Sequence, residues 1–187
     1  MTLAILAVLM SILGPAGGRA LRLVKVSTSR AHLRSIEGAV DAYAVDFRQE
    51  VPPSGDDEGH PDWVPGGSGA QRLAAYLTGY SNSDGLDGWG FHVAGGKKKH
   101  GPYNGVEELP MRGSPPTFVD QFDQPVLYYR YDGGYDSEDN HDGPSSINDY
   151  ARDGNQYRRS DYLLITPGID GDFEDEPDEG DDITNME

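Results

Sequence analysis

The chain contains no cysteine. Disulfide staples, zinc–thiolate centres and thiol catalysis are therefore excluded, and cysteine usage says nothing about the redox compartment. Positive charge is also scarce: 15 Lys and Arg stand against 32 Asp and Glu, a formal charge of −17. Such a surface repels phosphate backbones, so no nucleic-acid partner is expected, and it concentrates divalent cations. Catalytic patterns are missing as well. His32, His60, His92, His100 and His141 are scattered without HExxH spacing, and there is no GxSxG, no P-loop and no GxGxxG between a strand and a helix. In a chain this acidic, paired carboxylates say little about glycosidase-like chemistry. No enzymatic activity is expected.

What is present is unevenly distributed. Residues 1–36 hold five basic side chains (Arg19, Arg22, Lys25, Arg30, Arg34) and no acid, whereas ten of the eighteen residues from Asp170 to Glu187 are Asp or Glu. The two ends must face different surroundings or partners. Residues Met1 to Leu13 are apolar apart from Thr2 and Ser11, and Gly14-Pro15-Ala16-Gly17-Gly18 follows. As a helix the run spans about 20 Å, short of the roughly 30 Å of a bilayer core. Continuing through Ala20, Leu21, Leu23, Val24 and Val26 supplies the length and sets Arg19, Arg22 and Lys25 near the interface. Three readings stay open: a signal-anchor or pilin-type helix, a cleaved secretory signal with Gly18-Arg19-Ala20 as a small-x-small site but no basic n-region, and a buried helix of a soluble fold. The working division is an apolar membrane or assembly segment, residues 1–26, and a globular head, residues 27–187. The head includes a helical spine over 27–50.

Within the spine, Leu33, Ile36, Val40, Tyr43 and Phe47 recur at helical spacing, with Arg30, Arg34, Glu37, Asp41 and Asp46 off the stripe. Val51-Pro52-Pro53 should end it, because a proline disfavours helical geometry in the residue before it. A second helix is expected over Gly69 to Thr78, with Ser68 as N-cap, Gly79 as stop and Leu73, Tyr76 and Leu77 facing inward. Residues 80–117 read mostly as loop, and Lys97-Lys98-Lys99-His100 as a solvated turn. Val126 to Tyr131 and Tyr162 to Thr166 read as strands, rich in β-branched and aromatic side chains, which pair antiparallel across the polar loop 132–160. Asp132, Asp136, Glu138, Asp139 and Asp142 cluster in that loop without EF-hand spacing and read as solvated.

In order, these landmarks resemble the type II secretion major pseudopilin, the G-type relative in the type IV pilin-like superfamily. Met1-Thr2-Leu3 and the apolar run to Gly14 resemble the mature pilin start (FTLxE). Ser35-Ile36-Glu37-Gly38-Ala39-Val40-Asp41-Ala42-Tyr43 with the turn Val51-Pro52-Pro53-Ser54-Gly55 is similar to the family's helix and its "YPPS"-like turn. Phe118 to Arg130, containing Asp120-Gln121-Phe122-Asp123-Gln124-Pro125, resembles the "DPWGNPYxYR" strand. Thr166-Pro167-Gly168-Ile169-Asp170-Gly171 with Gly180-Asp181-Asp182-Ile183-Thr184-Asn185 resembles the "SLGPDG…DDIxNW" ending. Residues 56–117 and 132–160 look like insertions. Ile5 stands where the family has glutamate, Met186 where it has tryptophan, and no short basic leader ending in glycine precedes the apolar run.

The resemblance implies an α+β, pilin-like fold: a long N-terminal α-helix packed on a small antiparallel β-sheet with long loops. It implies a structural subunit of a secretion pseudopilus or related fibre, in the bacterial inner membrane and periplasm. Its partners would be other copies or related pseudopilins, the inner-membrane secretion machinery, and the membrane through its N-terminal helix. The alternative is a secreted or membrane-tethered acidic binding module that does not assemble. Calcium takes six to eight oxygen ligands from loops able to curl around it. Asp170, Asp172, Asp181 and Asp182 place carboxylates at both ends of one loop, and Gly171 and Gly180 give it room to turn, although a solvated acidic tail would read the same. The resemblance implies that Asp170, Asp181 and Asp182 bind Ca2+ with a backbone carbonyl near Pro167. Asp172 and Glu179 are further candidates, because this loop is longer than the family's.

Overall fold

The computed structural model describes residues 2–55, 67–79, 89–92, 98–145, 147–148, 152–153, 156–157, 161–173 and 182–186, with backbone alone for 2–17, 152–153 and 156–157. The fold is α+β. Helix α1 (Thr2–Asp46) runs unbroken through Gly14 to Gly18. Its stripe behaves as the spacing predicts: Leu33, Ile36, Val40 and Tyr43 are buried, and Phe47 packs partly buried against the same core. The helix ends four residues earlier than the prolines alone suggest. Arg48 and Gln49 take left-handed φ values of 59° and 70°, and the Gln49 N–H donates to Ala44 O across the last turn. That bond satisfies a carbonyl the helix end would otherwise orphan.

Helix α2 (Gly69–Thr78) carries both of its expected caps. Ser68 Oγ accepts from Gln71 N–H while Gln71 Oε1 accepts from Ser68 N–H, a reciprocal capping box. Gly79 is left-handed (φ 68°) and its N–H donates to Ala75 O.

Strands β5 (Leu127–Arg130), β8 (Tyr162–Thr166) and β9 (Ile183–Thr184) form an antiparallel sheet in the order β5-β8-β9. The β5–β8 register sets Leu127 opposite Ile165 and Arg130 opposite Tyr162. Because side chains alternate across a strand, the sheet has two covered faces. Val126, Tyr128, Tyr162, Leu164 and Ile183 face α1 and α2. Leu127, Tyr129, Leu163 and Ile165 face a second cluster with Ala70, Tyr135 and Ile147. Burial on both faces explains why β5 and β8 read as continuous apolar runs rather than alternating ones.

Two sequence expectations need correction. In the segment after β5 the acids Asp132, Asp136, Glu138 and Asp142 are exposed as expected, but the segment is more than a polar connection, since Tyr135 and Ile147 are core residues and cover the outer face of the sheet. Nor is the lysine run only a turn. Short two-residue strands β1 (Phe91–His92) and β2 (Lys99–His100) pair, and Lys98 Nζ, His100 Nδ1 and Tyr103 Oη converge on the Asp46 carboxylate at 2.6, 3.0 and 3.2 Å. An acid at a helix C-terminus opposes the macrodipole, and these partners offset that while pinning the end of α1. Chiefly through the Lys98 hydrogen bond, Asp46 titrates below the usual carboxylate range. The remaining pairs are β3 (Met111–Arg112) with β4 (Thr117–Phe118), and β6 (Arg152–Asp153) with β7 (Gln156–Tyr157).

Candidate functional site

The acidic C-terminal loop hangs from the sheet. Thr166 ends β8 and pairs with Ile183 of β9, so the chain leaves and re-enters at adjacent positions, Pro167 beside Asp182. Asn185 secures the return: its N–H donates to Leu164 O and its Oδ1 accepts from Leu164 N–H. Inside the loop, Asp170 Oδ1 accepts from Asp172 N–H, and Gly168 and Gly171 adopt left-handed φ values of 68° and 81°. Phe173 and Met186 tuck against the outer cluster, Met186 standing where the resemblance expects tryptophan.

Of the five candidate calcium ligands, Asp170 and Asp172 are exposed together on the outgoing turn, and Asp182 is buried at the neck, 8% exposed. Glu179 and Asp181 lie outside the described residues, as does Gly180. Among the described residues no group of three His, Asp or Glu side chains is placed to hold a metal.

The residue that sequence reasoning missed is Asp120, beneath this loop. The residue is 3% exposed. Oδ1 accepts from Phe122 N–H and Gln124 N–H at 2.7 and 2.9 Å, and Oδ2 from Thr166 Oγ1 at 3.1 Å. Asp120 thus closes the turn between β4 and β5 and ties it to the end of β8, the root of the acidic loop. Asp123 supplies the left-handed residue of that turn, φ 67°. Gly171 comes so close to the Gln124 side chain that a Cβ there would sit 2.7 Å from Nε2. On the other side, Gln121 N–H donates to Ser29 Oγ of α1, and His32 lies close enough to feel the Asp120 charge. Burial raises the Asp120 pKa above the ordinary carboxylate value, against the hydrogen bonds and His32, which lower it. Burial lowers His32, against the opposing pull of Asp120. The signal was legible in principle: an Asp two and four residues before turn amides is a common loop-closing pattern.

A second feature is a cleft of about 540 Å³ where the 52–55 turn, the start of α2 and residues 130–141 meet. Ser54 is its hub. Its carbonyl accepts from the Nη1 of Arg72, a side chain only 2% exposed, and its hydroxyl donates to Asp139 Oδ2 and accepts from Arg130 N–H. Asn140 links Ala70 N–H to Tyr128 O. Asp132, Asp136, Glu138 and Asp139 line the cleft with Arg72 and Arg130, so carboxylates outnumber guanidiniums two to one.

Among the described residues no helix is long and apolar enough to cross a membrane. Comparison with known proteins finds no matching family model, no matching curated protein and no matching solved structure.

Proposed function

We propose that the chain is a pilin-like structural subunit of a cell-envelope fibre, of the secretion-pseudopilus kind, whose acidic C-terminal loop is stabilised by calcium. The observation that carries the reading is the division of α1. From Ser29 to Tyr43 one face is buried in the head. From Gly18 to Lys25 every side chain is exposed, including Leu21, Leu23 and Val24 at 68%, 72% and 61%. A helix that leaves its own core with large apolar groups uncovered has a use for a further apolar environment, either neighbouring helices of a bundle or a bilayer. The loop supports the calcium part by its construction. Its neck is fixed by sheet pairing and by Asp120, so a cation there would order a short closed segment rather than a free tail.

Calcium is tested on the thermal midpoint of the full chain. A ligand that binds only the folded state raises it by mass action. The midpoint should rise with calcium and fall with chelator, and Asp181→Ala with Asp182→Ala should abolish the response; an unchanged midpoint removes the site. Electron microscopy of envelope preparations tests the fibre.

A second reading, a membrane-tethered or secreted acidic binding module, is favoured by the cleft around Ser54, which is concave, polar and built from a buried arginine. Mass spectrometry of the native N-terminus separates the two: an intact apolar segment supports the fibre subunit, and a start near Leu21 supports a released module.

A further inference from the structure

Between the apolar run and the head, α1 has two unlike sides. Arg22 precedes Ser29, Leu33 and Val40 by 7, 11 and 18 residues, close to whole turns of a helix. Lys25 precedes Ser29, Ile36 and Tyr43 by 4, 11 and 18. Those partners are all buried, so Arg22 and Lys25 lie on the head's side of α1. Arg19, three residues before Arg22, shares that side. Lys25 Nζ stands 5.2 Å over the Phe122 ring and so belongs to the edge of the head. Leu23 precedes the exposed Arg30, Arg34 and Asp41 by 7, 11 and 18 residues and therefore faces away from the head, with Val24 beside it. These two apolar residues are 72% and 61% exposed.

A second α1 is a poor partner for the basic side. No acid precedes Glu37, which stands 12 residues and about 18 Å beyond Lys25. Parallel copies therefore bring like charges together at this level. We infer that Arg19 and Arg22 bind the anionic phosphate headgroups of a lipid surface, with Leu23 and Val24 resting against the acyl boundary. The inference rests on the membrane-attached reading of the subunit and names its lipid class. Distance decides against repulsion by the acidic head. Asp120 and Gln121 root the acidic loop at the level of Ser29. Arg22 and Arg19 stand about 10 and 15 Å from that level along the axis, beyond the screening length of about 8 Å at physiological salt. Lys25, about 6 Å from it, lies within that length and already faces Phe122. The attraction falls to the two arginines, each worth about fivefold in affinity for an anionic surface.

Flotation of the full chain with vesicles tests this, in chelator so that calcium cannot bridge the acidic loop to the lipid. Phosphatidylglycerol-containing vesicles should be preferred over pure phosphatidylcholine by about 25-fold at about 0.1 M salt. The preference should vanish at about 1 M, where the screening length shrinks to about 3 Å. Arg19→Gln with Arg22→Gln should abolish it, Arg19→Lys with Arg22→Lys should keep it, and Lys25→Gln should change it by less than about twofold. All three positions lie outside the core, so an unchanged thermal midpoint certifies the fold of each variant. Equal binding to both vesicles, the result expected if the acidic loop reaches down and neutralises the arginines, would overturn the inference and leave membrane attachment standing. So would a preference that survives the double Gln variant or about 1 M salt. Binding to neither vesicle would remove both the inference and the attachment. The chain has no native cysteine, so disulfide dimers of Leu23→Cys on vesicles, without a lipid preference, would assign this stretch to a second copy instead.

Discussion

Asp120 offers the sharpest test of how the loop root is built. Replacing it with Ala strands three donors: the Phe122 and Gln124 amides and the Thr166 hydroxyl. Thr166 is fully buried, while residues 122 and 124 are half-buried. At the lower end of the cost of an unmet buried donor, the loss is about 3 kcal/mol. For a chain of this size that is a fall in the thermal midpoint of roughly 6–12 °C. Replacing it with Asn should cost almost nothing at acid pH, where Asp120 is itself neutral. The amide oxygen accepts from the same two N–H groups, and its NH2 donates to Thr166 Oγ1, whose hydroxyl is free to rotate. A buried anion is removed at the same time.

The pH profile supplies the second half of the argument. The folded-state pKa of Asp120 is raised, so its contribution to stability is fully present below the ordinary carboxylate value and is lost as pH rises through the folded value. Thermal melts of wild type and Asp120→Asn, taken by circular dichroism between acid and neutral pH in the presence of chelator, should therefore diverge as pH rises, with the Asn variant gaining. Other carboxylates titrate alike in both proteins and cancel. If Asn proved as damaging as Ala at neutral pH, the negative charge itself would be holding the root, and burial would not be its dominant influence.

Three further outcomes follow from the same geometry. Tyr128→Phe removes the hydroxyl that donates to Pro52 O in the fully buried core; it should cost about 1–2 kcal/mol in urea unfolding without changing the slope. Asp46→Asn should cost under about 1 kcal/mol at neutral pH, since Lys98 is largely exposed. Because the Asp46 pKa is lowered, its contribution is present above the ordinary carboxylate value and lost as pH falls through the folded value, so the acid limb of the wild-type curve should flatten in the variant. His32, whose pKa burial lowers, contributes stability above its ordinary value that is lost as pH falls; His32→Gln should remove that loss from melts taken between neutral and mildly acidic pH.

What could be read from the sequence was local. The Ser68 to Gly79 signals bracket α2 because a capping box and a left-handed glycine act within one helical turn. The Leu33-to-Tyr43 stripe and the two aromatic, β-branched runs declare burial by period alone. What escaped depends on partners distant in the chain. Nothing near Asp46 announces Lys98, His100 and Tyr103, more than fifty residues on. Tyr135 and Ile147 look like stray apolar residues in a polar loop until the outer face of β5 and β8 needs a cover. The left-handed Arg48 and Gln49 carry no glycine to flag them. Asp120 hid in plain view among 32 acids, because the sheer abundance of carboxylates masks the few with a structural task.

That abundance bears on the loop itself. Ten acids in eighteen residues would normally repel one another into an extended tail. Here the segment is held at both ends by β8–β9 pairing, and Asn185 extends that pairing past the last strand. Closing a self-repelling loop costs free energy, so the anchoring must come either from burial, which Ile183, Phe173 and Met186 provide, or from a counter-ion. The two contributions separate by experiment. If burial suffices, the amides of Leu164 and Asn185 exchange slowly with solvent whether or not calcium is present; if the ion is needed, chelation opens the β8–β9 pairing first while β5–β8 stays closed. The second pattern would make the sheet edge the sensor of the cation, with Asp120 the fixed point against which the loop folds.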